Sequence, residues 1–198
     1  DGRRILADEA GAGFLGAVHA DAFVVGFVGR LVPQKDLCTL LDAMAGVPDA
    51  HLCLVGAGDD EAALRSHAAR IGLILVHFAG ARPNGADLMP AFDVFALSSK
   101  WEGLGLVLLE AMSRGVPIVA TRGGAIPEVL GDGKLGLLSE VGDPAGFRDN
   151  LQRLKDDAGL RAGLIDRGHE AIAQRYSIAA MVKATTAVYE RVKFERLA

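Results

Sequence analysis

From residue 22 onward, apolar runs of strand length alternate with stretches of helix length. Residues 22–28 (AFVVGFV) form the first run, and 37–47 follow with amphipathic spacing. The alternation repeats: 51–56 strand, 60–71 helix, 73–80 strand, 86–92 a short helix, 93–97 strand, 104–112 helix, 118–120 strand, 126–130 a short helix and 135–138 strand. Strands that are apolar on both faces, each followed by a helix, predict a parallel sheet covered on both sides. The predicted architecture is a three-layer α/β/α, doubly wound sheet in the order 3-2-1-4-5-6, with ligand at the carboxyl ends of the strands. The switch point then lies between the first and fourth strands, whose ends are Gly29-Arg30 and residues 98–102. Beyond Asp143 the pattern is helical. Asp143-Pro144 is an N-cap and first-turn pair, and Phe147, Leu151 and Leu154 share a face. A helix over 162–175 follows, and Ser177 caps a last helix reaching about residue 197. Residues 1–22 carry little pattern; glycines at 11, 13 and 16 weaken a loose helix over 5–18.

The stretch 98–128, SSKWEGLGLVLLEAMSRGVPIVATRGGAIPE, carries the most chemistry. Its helix is apolar on every side, which predicts burial all round, and Gly115 and Pro117 end it. Glu110 is the one charge inside that apolar stretch, and a buried carboxylate needs donors. Glu102 precedes it by eight positions; in one helix the two would sit about 80° apart, so Glu102 belongs to the loop at the helix mouth and Glu110 two turns inside. Gly103 and Gly105 leave backbone uncovered at the helix N-terminus, where free amides and the positive dipole end favour an anion. A diphosphate flanked by hydroxylated rings would fit this seat. A solvated loop carboxylate and a satisfied core carboxylate are the alternative readings of Glu102 and Glu110.

Arg30 and Lys35 follow the first strand in GRLVPQKD. Arginine offers a fork of donors to phosphate and lysine a mobile point charge; two solvated cations are the alternative. The turn after the second strand has Gly56 and Gly58, but Glu61 stands where a dinucleotide fingerprint needs its third glycine. Arg82 follows the third strand. Trp101 can line a pocket beside Glu102 or simply pack. His19, His51, His67, His77 and His169 show no metal-ligand spacing, so no metal site is predicted.

Composition narrows the classes. The 198 residues are 51% hydrophobic with 25 glycines, enough for one large α/β domain. A net charge of −4 argues against nucleic-acid binding through a basic surface. No apolar run reaches transmembrane length. Cys38 and Cys53 are read as two buried, reduced thiols, and the compartment as cytoplasmic.

Several motifs in order resemble one family. SxxEGxGLxLLEAM over 99–112, GVPIVAT over 115–121, Gly123-Gly124 with Pro127-Glu128, and FVGRLxxxKD over 27–36 are similar to the retaining, nucleotide-sugar-dependent glycosyltransferases of family 4. The resemblance spans residues 23–198. It implies the C-terminal, Rossmann-like half of a GT-B fold, with residues 1–22 a remnant of the interdomain linker. It further implies an N-terminal partner domain and a last helix (177–197) that crosses back onto that domain, with Met181, Val188, Tyr189 and Val192 on its buried side and part of that face exposed where the domain is missing. By resemblance, Arg30 and Lys35 hold the donor diphosphate and stabilise the leaving nucleotide, and Glu102 binds donor-sugar hydroxyls and steadies the transition state. Gly29 is donor-binding, Gly56 and Gly58 lie near the nucleoside, Arg82 contacts or covers the base (a surface arginine is the alternative), and Glu110 accepts from the ribose hydroxyls. Gly103, Leu104, Gly105, Leu106 and Val107 form the phosphate turn, the amides from 105 to 107 meeting the distal phosphate. Two departures occur: Leu104 stands where Phe is common, and Asp36 where Gly often follows the lysine, a change that lets its side chain cap the next helix. The family works without a bound metal or cofactor, and the full enzyme can associate peripherally with a membrane. Another GT-B enzyme, such as a nucleotide-sugar epimerase or a phosphorylase, and a non-catalytic binding domain are the rival readings; a phosphorylase would need a pyridoxal-binding lysine, for which there is no sign.

Overall fold

The computed structural model describes residues 21–195, excepting the side chains of 194 and 195, so the predicted linker and its loose helix fall almost wholly outside it. Six strands form one all-parallel sheet: β1 (Phe23–Val28), β2 (Ala50–Val55), β3 (Val76–Gly80), β4 (Val94–Leu97), β5 (Ile118–Thr121) and β6 (Leu137–Ser139). The order is β3-β2-β1-β4-β5-β6, as the alternation predicts. Register runs from Phe23 opposite Ala50 to Val28 opposite Val55, and on the other edge of β1 from Val25 opposite Val94 to Gly26 opposite Phe95. The chain therefore reverses direction across the sheet between β1 and β4, opening a crevice at their carboxyl ends.

Helices flank the sheet: α1 (Leu37–Met44), α2 (Glu61–Arg70), α3 (Leu106–Ser113), α4 (Ile126–Val129), α5 (Pro144–Asp156), α6 (Ala158–Arg175) and α7 (Ile178–Glu195). The predicted short helix after β3 is a 3-10 segment, Gly85–Ala91. α1 packs on α5, and α3 packs on α6 and the 3-10 segment. Every residue of β2, β4 and β5 is buried, so these strands need apolar side chains on both faces. Phe147, Leu151 and Leu154 of α5 are fully buried, as their spacing predicts. The predicted cap of α5 forms, Asp143 accepting from the Gly146 amide at 3.0 Å. Asp157 caps α6 the same way through Leu160, at 2.8 Å, which starts that helix at Ala158 rather than 162. Ser177 Oγ accepts from the Ala180 amide at 3.2 Å and opens α7.

Met181, Val188, Tyr189 and Val192 of α7, the face expected to pack on an N-terminal domain, are exposed. Helical periodicity marks an apolar face but not what covers it. Cys53 is buried and its thiol is pushed up to about 12 by desolvation, but Cys38, contrary to expectation, lies exposed on α1.

His51 on β2 and His77 on β3 stack with ring centroids 5.2 Å apart, and His51 Nδ1 lies 3.0 Å from His77 Nε2. Burial first, and His51 second, hold His77 below its ordinary value of 6.5. The unfolded chain then takes up a proton at a pH where the folded chain does not. This contribution to stability is complete above about pH 6.5 and is lost as the pH falls below it. Chemical denaturation between pH 7.5 and 5 should show that loss, and His77→Gln should flatten it.

Candidate functional site

The loop after β1 carries the first cations. Arg30 is exposed, while Leu31 is fully buried and anchors the turn. A 3-10 turn, Pro33–Lys35, follows and ends at Asp36 in a left-handed conformation, φ 47°. Asp36 makes no side-chain bond to the backbone amides of α1, contrary to the predicted cap; it accepts from the Thr39 hydroxyl at 2.8 Å. Its positive φ gives the physical reason a glycine suits the position.

The turn places Lys35 against the loop after β4. Lys35 Nζ lies 2.5 Å from Glu102 Oε1, with the two side chains only 13% and 10% exposed. Ser99 Oγ donates to the same carboxylate oxygen at 2.6 Å. The loops are joined again by the Gln34 side-chain amide donating to the Trp101 carbonyl, and by the Lys100 amide donating to the Gln34 carbonyl, both at 2.8 Å. Two motifs read separately in the sequence thus meet across the β1–β4 crevice. Glu102 is on the loop as predicted, but it is an ion-pair partner rather than a solvated carboxylate.

A third loop supports Glu102 from behind. The Ala125 amide donates to the Glu102 carbonyl at 2.9 Å, and Glu102 bridges Gly124 in parallel fashion. A Cβ on Gly124 would fall 2.4 Å from that carbonyl oxygen, and one on Gly123 2.5 Å from the Lys100 carbonyl oxygen. The paired glycines of GGxPE let two backbones touch here.

The central helix starts later than predicted. Gly105 is its N-cap in a left-handed conformation, φ 68°, so α3 begins at Leu106 and Gly103, Leu104 and Gly105 stay in the loop. The amides of the first turn, at Leu106 and Val107, lack intrahelical acceptors, an arrangement that favours an anion. Nor is α3 buried all round. Leu108, Ala111 and Met112 are buried, while Leu104 stands out at the helix mouth and Leu106 is 64% exposed there. Trp101 is also largely exposed, at 58%. Glu110 is the fifth residue of α3, just past its first turn rather than two turns in. It is half-buried.

Beside this centre, a cleft of about 300 Å³ opens over the ends of β1, β2 and β3, walled by Gly29, Arg30, Gly56 and Arg82, with Val28 and Val55 as its floor. Arg82 Nε is buried there with no hydrogen-bond partner, a donor that asks for an acceptor. Gly56 and Gly58 draw the loops together: a Cβ would lie 1.8 Å from the Gly29 carbonyl oxygen at the first and 2.2 Å from that of Leu31 at the second. Among the described residues, no three His, Cys, Asp or Glu side chains gather as metal ligands. Gln34, Ser98, Ser99 and Thr121, which link these loops, were not among the predicted residues. The available signal was polar residues placed directly at the ends of fully apolar strands.

The profile of the family described as glycosyl transferases group 1 matches residues 22–157. The chain belongs to that family. Among its relatives, the lipopolysaccharide core biosynthesis glycosyltransferase LpsE of Rhizobium meliloti is 35% identical over 189 residues, covering 91% of this chain and 56% of LpsE. Anabaena HepE, solved in complex with UDP-glucose, superposes with a TM-score of 0.81 at 29% identity, covering 95% of this chain and 52% of HepE. The C-terminal domain of a group 1 family protein from Francisella tularensis, LpcC, superposes with a TM-score of 0.69 at 25% identity, covering 79% of this chain and 87% of that domain. The chain spans about half the length of the curated relatives it matches. Among the described residues, no helix is long and apolar enough to cross a membrane.

Proposed function

We propose that this chain is the C-terminal, donor-binding domain of a retaining family 4 glycosyltransferase, which moves a hexose-type sugar from a nucleoside diphosphate to an acceptor. The observation that carries the reading is the Lys35–Glu102 pair at the β1–β4 crevice, next to a cleft holding Arg30 and an unsatisfied Arg82. The nucleoside occupies that cleft, with Arg82 donating to the base and Gly29, Gly56 and Gly58 lying alongside. The diphosphate lies between Arg30, Lys35 and the free amides of α3. When the bond from the sugar's anomeric carbon to the diphosphate oxygen breaks, negative charge grows on the leaving phosphate. Fixed donors in a sheltered site stabilise that charge without reorganising. Glu102 holds a sugar hydroxyl and faces the positive charge developing on the ring, and Glu110 accepts from the ribose. This mechanism assigns no step to a metal or cofactor. The acceptor site falls to an N-terminal domain, and two free cysteines accord with a reducing, cytoplasmic compartment.

Calorimetric titration of the chain with UDP, GDP and ADP tests the donor site. One nucleotide should bind, with UDP the first to try because HepE was solved with UDP-glucose. Glu110→Ala and Arg30→Ala should each weaken binding about tenfold, the scale of one lost charged hydrogen bond. Unchanged affinity in both variants would remove these residues from the site. Measurable sugar transfer by the chain alone would refute the assignment of the acceptor site to another domain.

A further inference from the structure

We infer that Ser99 is a positioning residue, which orients the Glu102 carboxylate so that one oxygen is bound to the protein and the other is reserved for a donor-sugar hydroxyl. The inference rests on the donor-site reading above and goes beyond it to a residue with no assigned role. Glu102 Oε1 accepts from both Lys35 Nζ, at 2.5 Å, and Ser99 Oγ, at 2.6 Å. Oε2 meets no donor among the described residues. A carboxylate has room for about four donors in total, and a nearly buried one without its full set is costly. Its free lone pairs are left for a donor-sugar hydroxyl.

The surroundings argue that the orientation is built. Six polar side chains are buried among the described residues, and the three at 0% exposure, Ser98, Ser99 and Thr121, all serve these loops. Ser98 Oγ donates to the Lys35 carbonyl at 2.8 Å. Thr121 Oγ1 donates across from β5 to the Ser99 carbonyl at 2.5 Å. The Ser99 backbone is thereby fixed, and its hydroxyl spends its one proton on the carboxylate rather than on a nearby carbonyl. Without that proton, Lys35 alone tethers Glu102. A single flexible ammonium group fixes distance but not the rotation of the carboxylate plane.

The test separates nucleotide from sugar. In the full-length enzyme, UDP and UDP-glucose are titrated in turn (GDP and GDP-mannose if GDP is the nucleotide that binds). Ser99→Ala should leave the nucleotide affinity within about twofold but lower that of the sugar nucleotide roughly tenfold, the scale of one charged hydrogen bond made or lost. Ser99→Thr, which keeps the hydroxyl, should restore it. If Ser99→Ala does not fold, Ser99→Cys, a weak donor of similar size, takes its place. An equal fall for both ligands, or a fall for neither, overturns the positioning role while nucleotide binding leaves the donor site standing. Failure of the unsubstituted enzyme to bind any nucleotide overturns the donor site and the inference together.

Discussion

Lys35→Ala in the full-length enzyme should lower sugar transfer by about 10²- to 10³-fold, the usual cost of removing one preorganised donor to a developing negative charge. It should also destabilise the fold by about 3 kcal/mol, because it leaves Glu102 largely buried and without its cation. The two losses have different causes and can be separated. In the double variant Lys35→Met with Glu102→Gln, no charge is stranded, and Gln can still accept from Ser99. Stability should return to within about 1 kcal/mol of the unsubstituted protein, since a nearly buried ion pair adds little net stability over uncharged residues of similar volume. Transfer should not return. Steady-state kinetics beside a denaturation curve measures both. Recovery of transfer in the double variant would show that the pair only holds the two loops together.

That separation bears on what could be read from the sequence. The strand order was legible because each buried strand is apolar on both faces and each crossover contains a helix, which leaves few topologies. The meeting of Lys35 with Glu102 follows from that order, since the loops after the first and fourth strands share the crevice. The start of α3 was not legible. Leu104 continues the apolar run, and only the left-handed turn at Gly105 shows that the helix begins after it. The apolar face of α7 was legible, but periodicity cannot name the surface that covers it. Cys38 was misread for a related reason: Leu37 and Thr39 beside it are buried, and a helix turns about 100° per residue, so a neighbour in sequence can face water. The roles of Ser98 and Ser99 were not legible, because their partners lie 63 residues away in one case and three in the other. A sequence does not show such partners until the sheet has placed them.

The cleft over β1, β2 and β3 depends on a backbone contact, and that contact predicts a second large effect. Gly56→Ala should destabilise the domain by about 3 kcal/mol or more and weaken nucleotide binding by over about tenfold. Gly56 sits at φ 148°, where a side chain is strained, and its Cβ would land 1.8 Å from the Gly29 carbonyl oxygen. The obstacle is backbone, so no rotamer change relieves it. The Gly29 amide also donates to the Val55 carbonyl at 3.0 Å, so separating the loops breaks a bond as well as a contact. The wall of the cleft moves with them, which couples the stability loss to the binding loss. Gly72→Ala is the control: it has φ 72° but nothing within 4 Å of its Cβ. It should cost only about 1 kcal/mol, the ordinary penalty of a left-handed residue, and leave nucleotide affinity unchanged. Thermal unfolding and calorimetry on both variants compare strain alone with strain plus collision. Equal stability losses would mean that the β1 and β2 loops yield freely, and that the cleft is not held open by their contact.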